Sequence, residues 1–224
     1  MIQFARLTFA SMLGLGALAL SGTSASAAFI PVYSTGVTDS GALAAPGDAD
    51  SHYSITSAPT GASTPVVGSS LPSVWTPNTS TSQWIGVQAD LNTHNPTGSY
   101  DYRTTFSLAG LNAATASIMG SLAADDYVTV LINGAATSYV NYGGFQAFTP
   151  FSITSGFVAG TNTIDFIVTN APNVSPDGTP AGLQVNITSA TANAVVPEPA
   201  SIVLVSLGGI AAAGFGRRRR RATV

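Results

Sequence analysis

From Tyr100 to Ile187 apolar residues recur at alternate positions, and no stretch of useful length repeats with a helical period. This pattern restricts the region to β-strands with one buried and one wet face. Tyr100, Tyr102, Phe106 and Leu108 share the face of one strand. On the next, Ala114, Ala116, Ile118, Gly120 and Leu122 do so, with Ser117, Met119 and Ser121 opposite. Val128, Val130 and Ile132 follow, then Phe148, Phe151 and Ile153, then Ile164, Phe166 and Val168, and last Leu183, Val185 and Ile187. Asn133-Gly134 reads as a hairpin turn, because both residues tolerate positive φ, and Gly160-Thr161-Asn162 as a second turn. Strands wet on one face belong in antiparallel sheets, and this many need two sheets packed together. The expected fold is all-β, an antiparallel two-sheet sandwich.

Residues 29–98 are rich in Pro, Gly, Ser and Thr, with short candidate strands at Tyr53–Ser57, Pro65–Val67 and Trp84–Gln88. Trp75, Trp84 and Ile85 are too apolar to be left in water, so this region is expected to dock on the sandwich and complete it through long loops.

Both ends of the 224-residue chain are apolar. Met1–Arg6 carries one positive charge, Leu7–Leu20 is apolar, and Ala25-Ser26-Ala27 offers the small residues that signal peptidase accommodates. Residues 1–27 therefore read as a signal helix cut after Ala27, with Ala28 as the alternative. Near the other end, Pro197-Glu198-Pro199 precedes an uncharged stretch over 200–216 and the arginines Arg217, Arg218, Arg219, Arg220 and Arg221. As a helix, 200–216 would span about 25 Å, enough for a bilayer core. Arginines resist translocation and would stay on the cytoplasmic side, leaving the domain outside. The expected organisation is a signal peptide over 1–27, a β-sandwich over 28–192, and a tail over 193–224 that holds the precursor in the inner membrane through a transmembrane helix.

The charge balance excludes one class of partner. Between the two ends, Arg103 stands alone against nine aspartates, a net charge of −8 over residues 28–196. Nucleic-acid binding needs several cationic contacts to release counterions, so no nucleic acid is expected. The chain has no cysteine, which removes disulfides, thiolate metal sites and cysteine nucleophiles.

The tail, with Pro197, Glu198 and Pro199 ahead of an apolar span and an arginine run, resembles the PEP-CTERM sorting signal of bacterial exported proteins. The resemblance covers about the last thirty residues. It implies recognition by an exosortase-type protease, removal of the tail, and association with extracellular polysaccharide or biofilm matrix. A permanent single-span anchor is the alternative. A second resemblance rests on the run Tyr102-Arg103-Thr104-Thr105-Phe106, then Ala116–Gly120, Asp125-Asp126, Val128–Gly134, Phe148–Ile153, Gly160–Ile164 and Gly182-Leu183. Their order and spacing look like the galactose-binding-like jelly roll, which implies carbohydrate binding for some members and none for others.

His52 and His94 have no ligand spacing around them, and no G-x-S-x-G elbow is present. Asp125 and Asp126 are adjacent, so in an extended chain they point to opposite faces and read as a turn ahead of the strand at Tyr127. Asp39, Asp48 and Asp50 with neighbouring carbonyls are candidate calcium ligands, the commoner reading being solvated turn aspartates; no other cofactor is expected. Trp75, Tyr139, Asn141 and Tyr142 are candidate sugar contacts, with ordinary packing as the alternative, while Trp84 is expected in the core and Arg103 in a pair with an aspartate. The sequence thus points to a non-catalytic exported envelope or matrix protein associated with exopolysaccharide. A lectin-like module and an enzyme acting on secreted polymers are the alternatives.

Overall fold

The computed structural model describes residues 26–172 and 178–195, which belong to one compact unit. The expected signal helix and transmembrane helix, the motif Pro197-Glu198-Pro199 and the arginines at 217–221 lie outside the described residues. Among the described residues no helix is long and apolar enough to cross a membrane.

Among the described residues eleven strands run in chain order: β1 Ala27–Phe29, β2 Tyr53–Ser57, β3 Val66–Val67, β4 Ile85–Gly86, β5 Gly98–Ser107, β6 Ser117–Asp125, β7 Tyr127–Ile132, β8 Ala135–Ala136, β9 Thr149–Ile153, β10 Thr161–Asn170 and β11 Gly182–Asn193. They form two sheets with antiparallel strand pairs, one ordered β3-β4-β11-β6-β9 with β1 also on β11, the other ordered β2-β5-β10-β7-β8. The all-β sandwich expected from the alternation is the observed architecture.

The inward faces follow directly from the pattern. Tyr100, Tyr102, Ile118, Leu122, Val128, Val130, Ile164, Phe166, Val168, Leu183 and Val185 are fully buried in one cluster between the sheets. Burying side chains of this size contributes about 1.5–3 kcal/mol each. The Asn133-Gly134 turn joins β7 to β8 with φ of 51° and 78°, the left-handed pair such a hairpin demands. The Asn133 amide reaches further, donating to Gly156 O and Asn162 Oδ1 at 2.8 Å each and accepting from Thr163 N at 3.0 Å, so it ties this turn to the one before β10.

Two expectations are corrected. Ala114 does not begin a strand: Ala113–Thr115 is a single 3-10 turn, capped by the Asn112 side chain on Ala114 N, and β6 starts at Ser117. Asp125 and Asp126 do not sit on an extended strand: the peptide between them is cis, and the Asp126 carboxyl is close enough to help raise the pKa of Asp125. They still mark a turn, since β6 ends at Asp125 in one sheet and β7 begins at Tyr127 in the other.

The segments on either side of β4 fold over the outer face of the β11–β6 sheet, where Trp75, Trp84, Leu91 and Ala123 make a second buried cluster. The Trp75 and Trp84 rings lie 4.2 Å apart. Gly182 makes room for them, since a Cβ there would sit 2.9 Å from the Trp75 ring.

Candidate functional site

The aromatic residues expected as sugar contacts fall in two places. Trp75 is buried, and its indole N–H donates to Asp125 Oδ2 at 2.8 Å. Tyr139, Asn141 and Tyr142 lie together along β7, with Asn141 exposed in the left-handed conformation at φ 50°. The two tyrosine rings are 4.8 Å apart and turn toward β9. Tyr139 Oη accepts from Ser152 N at 2.7 Å and donates to Ser152 O at 3.1 Å, while Tyr142 Oη donates to Pro150 O at 2.5 Å. Among the described residues β9 is an edge strand, paired only with β6, and Pro150 has no N–H to offer. The hydroxyls therefore occupy outward polar groups to which another strand would otherwise pair.

Asp39, Asp48 and Asp50 are not gathered around one point: among the described residues no group of three His, Asp or Glu side chains is placed to hold a metal ion. Asp50 is buried and accepts from Gly36 N, His52 N and Tyr53 N at 2.6, 2.8 and 3.2 Å. Burial raises its pKa, against the lowering effect of these N–H donors. Asp48 is exposed, and Asp39, also exposed, faces His52 Nε2 at 3.4 Å.

Asp125 has the most perturbed carboxyl environment. Burial is the largest cause, followed by the neighbouring Asp126 charge and hydrogen bond, and together they push its pKa up to about 7 against the lowering effect of the Trp75 N–H. Asp126 binds the other side of the turn, donating its N–H to Thr169 O at 2.9 Å and accepting from Ala171 N through Oδ2 at 2.7 Å. The pair locks the crossover between the sheets.

Tyr139 lines an open cleft of 390 Å³ together with Ile132, Ser152 and Gly156, and two further clefts form around Tyr33. The segment from Ile30 to Gly36 is laid along β11 by hydrogen bonds from Ile30 N to Ala190 O, from Thr35 N to Val185 O and from Ile187 N to Ser34 Oγ, at 2.9, 3.0 and 3.0 Å. On its other side Tyr53 Oη donates to Tyr33 O at 3.0 Å. The Tyr33 ring stacks on His52, centroids 3.7 Å apart and planes within 8°. One cleft of 420 Å³ runs from Phe29 past Val32, Tyr33 and Asp39 to Ile187 and Ser189 on β11. A second, of 280 Å³, lies among Tyr33, His52, Ser54, Arg103 and Thr105. Arg103 forms a two-point pair with Asp165 through Nε and Nη2 at 2.5 and 3.1 Å, which raises its pKa. Its pairing with an aspartate was expected; its position on a cleft wall was not.

Sequence reasoning missed Phe29, Tyr33 and His52. Tyr33 and His52 lie in irregular segments and Phe29 ends the three-residue β1, and only folding brings them beside β5 and β11. The single legible hint was the density of aromatic residues in a stretch otherwise poor in strand signal.

Residues 195–221 match the family model described as the PEP-CTERM protein-sorting motif. No curated protein matches the chain. Among solved structures, "Structure of CBM35 from Paenibacillus barcinonensis" is similar at 12% identity and a TM-score of 0.32, covering 62% of this chain and 94% of that one, a likeness too distant to speak to ligand or chemistry. A two-sheet antiparallel β-sandwich thus precedes a PEP-CTERM sorting signal, and the signal marks the chain as an exported protein.

Proposed function

We propose that this protein is a non-catalytic component of the cell envelope or extracellular matrix, displayed by its sorting signal and associated with exopolysaccharide through its β-sandwich. The observation that carries this reading is the sorting motif over 195–221, which begins just two residues after the last strand ends at Asn193. An exosortase-type protease would act on Pro197-Glu198-Pro199, after signal peptidase has removed residues 1–27, and the precursor would wait in the inner membrane by its 200–216 span. The acidic surface suits a protein that remains soluble and apart from nucleic acid and anionic lipid.

The reading without catalysis draws support from the placement of the carboxylates. Glycoside hydrolysis needs two carboxyl groups about 5–9.5 Å apart flanking one bond. Among the described residues Asp39 is the sole carboxylate on the 420 Å³ cleft, none lines the 280 Å³ cleft, and Asp125 is buried against Trp75.

Fractionation of cells expressing the wild type and Glu198→Ala tests the display step. The wild type is expected at the surface or in the matrix as a shortened chain, and the variant in the inner membrane with its tail retained. Equal processing of both would overturn the role of the motif, and wild-type protein confined to the cytosol would overturn export.

A further inference from the structure

We infer that the two clefts flanking Tyr33 are one binding site for an uncharged sugar chain, an inference that rests on the polysaccharide reading above and names its site and ligand class. Tyr33 lines both clefts, so a ligand lying across it would touch both. Its ring is held parallel to His52, which gives a preordered surface that costs little entropy to use. At the far end of the larger cleft, Phe29 is 66% exposed, an aromatic ring left in water beside a concave surface. Pyranose rings present flat C–H faces between rims of hydroxyls, and aromatic walls bordered by Ser40, Ser54, Thr105 and Ser189 complement both features.

His52 supplies an independent indication. Its side chain is 10% exposed, and the buried Nε2 makes no aligned hydrogen bond, the nearest charged group being the Asp39 carboxylate at 3.4 Å. Buried polar atoms are ordinarily paired, so this nitrogen, on a residue that lines the smaller cleft, keeps hydrogen-bonding capacity that the exposed Asp39 side chain approaches without aligning.

Charge decides between neutral and acidic chains. Arg103, the only cation of the domain, is neutralised by Asp165 and has the Asp101 charge nearby. Asp39, on the rim, is 91% exposed. An acidic sugar would meet repulsion from the domain as a whole and find no unpaired cation, whereas a neutral chain pays no such cost.

The test uses mature protein recovered from secreting cells and matrix carbohydrate from the same cells, separated by anion exchange into neutral and acidic fractions. Retardation in gels containing each fraction is measured for the wild type, Phe29→Ala, Tyr33→Ala and, as a control at an exposed apolar residue away from the clefts, Val158→Ala, with thermal unfolding of each as a check on folding. The expected result is retardation of the wild type by the neutral fraction, a loss of about tenfold or more in affinity for Phe29→Ala and Tyr33→Ala, and no change for Val158→Ala. Phe29 is exposed, so its variant reports on binding even if Tyr33→Ala folds poorly. Wild-type retardation that survives Phe29→Ala would overturn the site while leaving polysaccharide association standing. Preference for the acidic fraction would overturn the neutral ligand, and no retardation by either fraction would remove the polysaccharide reading and this inference with it.

Discussion

Asp125 shows how one residue can tie the fold to pH. Its carboxyl has a pKa near 7 when folded, against about 3.9 in an unfolded chain. Between those values the native state holds a proton that the unfolded state has lost, so stability is full below about pH 4, declines as pH rises toward 7, and is flat above. Asp125→Asn keeps an oxygen acceptor for the Trp75 N–H and removes the titration. The variant is expected to lose less stability than the wild type from pH 4 to 8 and to be more stable by about 1–3 kcal/mol at pH 8, as measured by urea unfolding. Parallel pH profiles for the two proteins would contradict the assignment. The doublet was visible in the sequence, but its geometry was not: alternation predicts side chains on opposite faces only while the backbone stays extended, and here the chain turns between sheets. Tyr33 and His52 were illegible for a related reason, since their stack depends on Asp50 gathering three backbone N–H groups, an arrangement of loops that no periodicity encodes.

Among the elements, β9 shows how a free edge is managed. Tyr139 and Tyr142 place hydroxyls on Ser152 and Pro150, where a neighbouring strand would pair. Replacing both by Phe retains the rings, including the edge contact of Tyr139 with Phe151 at a centroid distance of 6.4 Å, and removes only the hydrogen bonds. A net cost of about 1–3 kcal/mol is expected, together with self-association visible by sedimentation. A monomer of unchanged stability would show that the hydroxyls do not guard the edge. The cover made by the segments on either side of β4 is tested at Gly182, where Gly182→Val drives a branched side chain into Trp75. A loss of about 1–3 kcal/mol and a shifted tryptophan emission are expected. The long strands were legible because each carries enough alternating residues to define a face. β3, β4 and β8, with two residues each, have no period to read, and only Val66, Val67 and Ile85 hinted at the first two through their branched side chains.

At the scale of the molecule, the central strand of one sheet is also the last: β11 pairs with β1, β4 and β6, so that sheet cannot close until residues 182–193 have joined it. Ala28 and Phe29, which follow the expected signal-peptidase cut, pair with Ala192 and Thr191, next to the start of the sorting motif at residue 195. In an exported chain the sandwich is therefore completed only after nearly the entire domain has crossed the membrane. The two-sheet architecture and the sorting tail were both legible, one from alternation and the other from Pro-Glu-Pro ahead of an apolar span and an arginine run. The clefts were not, because their walls come from segments distant in sequence. The account as a whole is tested most directly by the intact mass of the protein isolated from the surface and matrix fractions of producing cells. It predicts a chain that begins at Ala28 and ends before the arginine run; a full-length mass beginning at Met1, recovered from the cytosol, would contradict it.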